Sequence, residues 1–231
     1  MERVIVLPDP ALTARAAGLR LLLALVDAQS VTAPVHVALT GGTLGTRMLD
    51  SVVGGDLAGA VDWSQVHLWW GDERYAEDAE RNASQVRTWL DSLPIPPENV
   101  HEVARPGEAE DAEAAAEAYA TAVRDVHFTV VVLGIGPDGH VAALCPGRDE
   151  VEVEGKGALP VHDSPKPPPT RVSLTRASLS DADEVWFVAA GQDKAPMVAA
   201  SLLPGTEPVP AARVRGATTL WLLDTAAAGA L

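Results

Sequence analysis

The stretch TVVVLGIGPDGHVAALCPG, residues 129–147, decides how this chain is read. A β-branched run is followed at once by Gly134-x-Gly136-x-x-Gly139, the spelling of a dinucleotide-binding fingerprint. That fingerprint needs a long helix after its third glycine, because the pyrophosphate sits on the helix N-terminus. Only residues 141–145 separate His140 from Pro146, little more than one turn. It also calls for an acidic residue about twenty positions further on, where residues 155–162 read GKGALPVH. The nucleotide reading fails on context. What remains is a buried strand whose carboxyl end delivers a glycine-rich turn carrying Asp138 and His140, and in open α/β sheets ligands bind beyond those strand ends. A histidine beside a carboxylate in such a turn has surroundings that set its tautomer and proton affinity. His140 is therefore read as catalytic. His36, His67, His101, His127 and His162 lack such a setting and are read as core or surface residues.

Short apolar strands alternate with helical patterns on either side of this stretch. RVIVL, VHVAL, VHLWW, FTVVVL, EVWFVAA and TTLWLLD read as strands, and RVSL joins them. Asp9 followed by Pro10 reads as an N-cap and first-turn proline, opening a helix through Leu12, Ala16, Leu19, Leu23 and Val26. Asn82 with Gln85 three residues later resembles a capping box, and residues 108–126 carry a helical stripe. Residues 147–170 hold five prolines and read as an extended surface loop. This alternation predicts one α/β domain over residues 1–231, a doubly wound, mainly parallel sheet with helices on both faces, Rossmann-like but without a nucleotide.

Other strand ends carry chemistry as well. In ALTGGTLG, residues 38–45, exposed N–H groups of Gly42, Thr43 and Leu44 at a helix start form an anion site; a plain tight turn capped by Thr43 is the rival. In WWGDERYAEDAERNAS, residues 69–84, the third strand end releases Asp72, Glu73 and Arg74 into a loop. There Arg74 suits a phosphate and Asp72 suits orienting a base or being one, against the alternative of a solvated charge cluster. Trp69 and Trp70 read as core. The proline-stiffened segment 162–174 places Lys166 and Arg171 as cations over the site, or as scattered surface charge. Lys194 is a weaker candidate, beside an Asp193 that reads as an N-cap.

Bulk properties narrow the classes. Seventeen Lys and Arg against 32 Asp and Glu give a net charge of −15, a poor match for nucleic acid or anionic membrane. An anionic small ligand would need a local cluster of cations and N–H groups. Cys145 is the single cysteine, so neither a disulfide framework nor a multi-cysteine metal site is expected, and no His-x-x-x-His spacing occurs. The N-terminal residues lack the pattern of a signal peptide, and residues 19–26, the longest apolar stretch, are too short to span a bilayer. A cytoplasmic soluble protein, monomeric or weakly self-associating, is the simplest expectation.

LTGGTLG, WWGDERYAEDAERNASQVRTWL, VVVLGIGPDGHVAALCPG and SPKPPPTRVSLT follow one another in the order and spacing of 6-phosphogluconolactonases, within the wider glucosamine-6-phosphate isomerase/deaminase superfamily. The resemblance covers nearly the whole chain. It implies opening of 6-phospho-D-glucono-1,5-lactone to 6-phosphogluconate with no cofactor or metal. By the same resemblance His140 matches the general base and Asp72 and Asp138 the active-site carboxylates. Arg74 and Lys166 match the phosphate and substrate cations, and Gly41, Gly42 and Thr43 the phosphate loop, where serine is more usual than Thr43. Cys145 departs from the phenylalanine that lactonases mostly carry there. The sister deaminases carry a glutamate at that position to support their histidine, which makes deaminase the runner-up. A non-catalytic sugar-phosphate sensor is a third reading, weakened because such regulators carry a basic DNA-binding region that this chain lacks.

Overall fold

The structure is a computed structural model that describes residues 1–53, 56–204 and 208–231. In chain order the regular elements are β1 (Glu2–Leu7), α1 (Pro10–Gln29), β2 (Val35–Leu39), α2 (Gly42–Val53), β3 (Val66–Trp70), β4 (Asp72–Arg74), α3 (Asn82–Gln85) and α4 (Arg87–Leu90). After them come α5 (Ala112–Val123), β5 (Phe128–Leu133), β6 (Ala158–Val161), β7 (Arg171–Leu174), α6 (Arg176–Ser180), β8 (Ala182–Ala189), α7 (Ala195–Leu202) and β9 (Thr218–Asp224). Six strands pair in the order β1-β9-β8-β5-β2-β3, every pair parallel.

Both faces of the inner strands of this sheet are buried, as their unbroken apolar runs require, while the edge strand β1 stays largely exposed. Side chains alternate between two cores at the strand period of two. Leu220, Leu222, Trp186, Val188, Val130 and Val132 face α1 and α2, while Trp221, Leu223, Phe187, Leu133 and Trp69 face the side covered by α5 and α7. Asp9 caps α1 as expected, accepting from the Leu12 N–H at 2.8 Å, a contribution of about 1 kcal/mol.

Several sequence expectations need correction. RVSL does not enter the main sheet: β7 lies between β4 and β6 in a separate antiparallel sheet. Residues 147–170 are not all loop, because β6 is formed there, and Pro160 is tolerated since β6 is an edge strand. Asp72, Glu73 and Arg74 are likewise a strand. The chain turns away from β3 at Gly71, whose N–H still donates to Leu39 while its carbonyl accepts from Leu174. The Asn82–Gln85 capping box is not made, and the helix is interrupted at Val86. Glu73 takes over the capping, accepting from the N–H groups of Asn82 and Ala83 at 2.7 and 2.8 Å. Asp193 lies within a 3-10 turn and pairs with Lys194 at 3.1 Å instead of capping α7. These features depend on partners remote in sequence, which local patterns do not encode.

His36 and His67, paired near the amino ends of β2 and β3, gather with His101 around Trp69. His67 Nδ1 and His101 Nε2 are 2.9 Å apart, His101 stacks on Trp69 at 3.8 Å, and Trp69 Nε1 donates to His36 Nδ1 at 3.1 Å. Burial first, and neighbouring imidazoles second, lower His36 and His101 to about 4. Between pH 6.5 and 4 the unfolded chain therefore binds protons that the folded chain refuses, so stability is full above that window and falls as pH drops through it. At about 1.4 kcal/mol per pH unit and with allowance for half-buried rings, the expected loss from pH 7.5 to 4.5 is roughly 2–4 kcal/mol. Urea unfolding at both pH values checks this, and the difference should shrink in a His36→Asn/His101→Asn variant. An equal acid loss in both proteins would count against it.

Candidate active site

The connection from β2 runs to β3 on one side, while β5, its neighbour on the other, leads on to β8. A crevice opens at such a reversal of strand order. The loops after β2, β3 and β5 meet there around a cavity of about 180 Å³ lined by Thr40, Gly41, Gly42, Asp72, Arg74, Asn82, Gly134, Ile135, His140, Ala142, Lys166 and Arg171.

His140 enters from the β5 loop. The Gly136 N–H donates to the His140 carbonyl at 2.9 Å, closing a turn that brings the imidazole back over the strand end. Its Nδ1 lies 2.6 Å from Asp138 Oδ1, and the His140 N–H reaches the same oxygen at 3.2 Å. Partial burial of Asp138 favours its neutral form, but the His140 N–H, the imidazole's charge and its hydrogen bond together outweigh that and hold the carboxyl below its ordinary range. Asp138 is thus an acceptor at neutral pH, which assigns Nδ1 the proton and leaves Nε2 the basic position. The absence of a side chain at Gly136 makes this possible: a Cβ would fall 2.0 Å from His140 Nδ1 and 2.4 Å from Asp138 Oδ1.

Cations line the same cavity. Arg171, on β7, pairs with Asp72, on β4, at 3.0 Å, both side chains being buried, and also donates to the Lys166 carbonyl at 3.1 Å. Lys166 is exposed on the proline-rich loop and has no ion-pair partner among the described residues. Arg74 donates through Nη1 to the Glu80 carbonyl at 2.8 Å, and its N–H donates to Glu73. The Nε atoms of Arg74 and Arg171 are buried without a partner. Glu73 itself is buried and accepts three N–H bonds, beside Arg81. Burial raises its proton affinity against the pull of those donors.

The sequence-derived residues mostly meet here. His140, Asp72, Arg74, Lys166, Arg171, Gly41 and Gly42 line one cavity, with Asp138 directly behind His140. Thr43 does not: it sits exposed one residue into α2, which begins at Gly42, and Thr40 takes the place beside the cavity. Lys194 is absent from the lining. Asp72, weighed alongside Asp138 as the partner of His140, is engaged by Arg171. Asn82 and Glu73 carry more of the site than their sequence positions suggested; the signal available was two acceptor-bearing residues near Arg74. Cys145 is buried, which raises its thiol pKa, and it stands with Asp138 and His140 so that one potential ligand atom of each lies within 4.8 Å of the others. A metal-capable grouping had not been expected from spacing, because the tight turn of residues 141–144 folds Cys145 back.

A doubly wound sheet that presents a histidine–carboxylate pair to a cation-lined crevice defines an enzyme acting on a small anionic ligand. Residues 8–221 match the family described as glucosamine-6-phosphate isomerases/6-phosphogluconolactonase. The 6-phosphogluconolactonase of Streptomyces coelicolor is 44% identical over 99% of this chain and 94% of its own. That of Mycobacterium tuberculosis is 39% identical over 98% and 97%. The solved 6-phosphogluconolactonase structure from Trypanosoma brucei superposes with a TM-score of 0.84 at 26% identity, covering 100% of this chain and 99% of that one. The chain belongs to the glucosamine-6-phosphate isomerase/6-phosphogluconolactonase family. No helix among its described residues is long and apolar enough to cross a membrane.

Proposed function

We propose that this protein hydrolyses 6-phospho-D-glucono-1,5-lactone to 6-phospho-D-gluconate, the second step of the oxidative pentose phosphate pathway. It would work as one α/β domain over residues 1–231, monomeric or weakly self-associating, in the cytoplasm. The observation that carries this reading is the 2.6 Å pairing of His140 with Asp138 at the edge of a cavity that Arg74, Lys166 and Arg171 also line. Such a cavity joins a base for water with positive charge for a phosphate and an oxyanion, within a chain of strongly negative overall charge.

In this mechanism Nε2 of neutral His140 takes a proton from water as the oxygen adds to the lactone carbonyl. The tetrahedral oxyanion lies near a cation, Lys166 or Arg171. It collapses by breaking the bond to the ring oxygen, which receives the proton from the imidazolium. Asp138 holds the ring and stabilises the imidazolium without itself being protonated. Arg74, the Gly41–Gly42 turn and the N-terminus of α2 anchor the phosphate, whose binding energy positions the carbonyl. No metal or cofactor has a role in this scheme, since an activated ester needs only an oriented water. The deaminase alternative is disfavoured because the place of its supporting glutamate is taken by the Cys145 thiol.

The deciding experiment follows the decay of freshly generated 6-phosphogluconolactone near neutral pH with and without the protein. Acceleration at catalytic protein concentrations is expected; decay at the spontaneous rate with folded protein would refute the proposal. Gly136→Ala tests the geometry of the pair. Its methyl group cannot coexist with the His140–Asp138 contact, and displacing a catalytic group by about 1 Å costs on the order of 100-fold. Turnover should fall by about that factor, and a variant with wild-type turnover would contradict the assigned geometry.

A further inference from the structure

We infer that Asn82 is a specificity-determining residue that accepts a hydrogen bond from a hydroxyl of the substrate, an inference that rests on the lactonase reading above. Three of the buried polar side-chain atoms left without partners belong to residues that line this one cavity: Arg74 Nε, Arg171 Nε and Asn82 Oδ1. Burying an unpaired polar atom is costly, and a native site that retains several of them is completed by what enters it. Two of the three are cationic donors, which a phosphate dianion satisfies. The third is an acceptor. A phosphate oxygen would repel it, so a ligand that completes this wall must carry a donor as well as an anion. A sugar phosphate with free hydroxyl groups has both.

The orientation of the amide is fixed from three sides. Asn82 is 2% exposed. Its Nδ2 donates to the Asp72 carbonyl at 2.8 Å, and its own N–H donates to Glu73 Oε1 at 2.7 Å. Turning the amide over would set Oδ1 against the Asp72 carbonyl, acceptor against acceptor, so the hydrogen-bond network assigns Oδ1 to the other side. There it meets Gly41, which lines the same cavity and packs directly on the amide: a Cβ at that position would fall 1.9 Å from Oδ1 and 2.8 Å from Nδ2. Glycine at 41 is therefore what lets the cavity-lining turn come up against the acceptor side of the amide. The acceptor is held in place before substrate arrives, so little ordering cost falls on binding. It also stands between the Gly41–Gly42 turn and Arg74, which places the hydroxyl it reads close to the anion-binding wall.

The test compares the parent lactone with its 2-deoxy, 3-deoxy and 4-deoxy analogues. For the wild-type protein, one of the three should lose about 10- to 100-fold in kcat/KM, since the missing hydroxyl leaves Oδ1 buried and unpaired. In Asn82→Ala and Asn82→Ser that analogue and the parent should differ by less than about threefold, because the acceptor that told them apart is gone. Thermal unfolding of each variant checks that it folds, and Asn82→Ser serves if alanine impairs folding. Equal turnover of all four lactones by the wild-type protein would overturn the inference, as would a deoxy penalty that persists undiminished in the alanine and serine variants. The parent lactone separates the two questions: no acceleration of its opening would refute the lactonase reading itself, whereas acceleration without hydroxyl discrimination would refute only the role of Asn82.

Discussion

Replacing His140 by alanine is expected to lower kcat for lactone opening by about 10²- to 10⁴-fold, the range that a positioned general base contributes. The expectation follows from the division of labour in the cavity. His140 is bound to Asp138, and no hydrogen bond among the described residues ties it to Arg74, Lys166 or Arg171, so it holds none of the phosphate-binding groups in place. Affinity for 6-phosphogluconate, measured by calorimetry, should change little while turnover collapses. Asp138→Asn should produce a smaller loss, because the amide can still approach Nδ1 but can no longer stabilise the imidazolium. An unchanged kcat in His140→Ala would remove the histidine from the mechanism. A parallel loss of product affinity would instead assign it to binding.

The second large effect is expected on the fold. Asp72→Ala should destabilise the protein by about 3–5 kcal/mol, as removal of one member of a buried ion pair does. Its carboxylate receives Arg171 at 3.0 Å, and both side chains are buried between β4 and β7, so the deletion leaves a guanidinium without its counter-charge. For a chain of this size that corresponds to a fall in Tm of roughly 10 °C. Thermal unfolding of Asp72→Ala, Arg171→Leu and the double variant checks it. The double variant should recover part of the loss, because the uncompensated charge leaves with its partner. A single variant within about 1 kcal/mol of wild type would show that the pair contributes little. Activity should also fall in Asp72→Ala, since Arg171 lines the cavity and also holds the Lys166 carbonyl. In the proposed mechanism Asp72 then has a task different from that of Asp138: one carboxylate places a cation, the other places the base.

The two carboxylates show where sequence reading reached its limit. Asp138 lies two residues from His140, and a glycine-rich turn between them has few ways to fold, so their pairing was legible. Asp72 and Arg171 are 99 residues apart. Their pairing depends on β3 turning off the main sheet at Gly71 and on β7 joining a separate antiparallel sheet, and neither event has a local signature. The same reason explains Asn82. Its neighbourhood suggested a helix cap, but once Glu73 satisfies the helix N–H groups the asparagine amide is released to donate to the Asp72 carbonyl and pack against Gly41. At Thr43 the local pattern reached only part of the way: the helix starts at Gly42, so the Thr43 side chain is exposed while its N–H belongs to the N-terminus of α2.

By itself the sequence determined the parallel sheet with helices on both faces, because apolar runs of strand length separated by helical stripes can be buried in few other ways. It also placed the glycine-rich turn that carries His140 and the Gly41–Gly42 turn beyond strand ends, since Gly134 and Gly41 come within two residues of such runs. Tertiary structure alone decided which strand ends are neighbours. The order β5-β2-β3 brings the three loops to one crevice, and the small sheet of β4, β7 and β6 carries Arg171 to its edge. Strand order is fixed by the total burial of both faces and by the crossings that helices permit, a property of the whole chain and not of any segment in it.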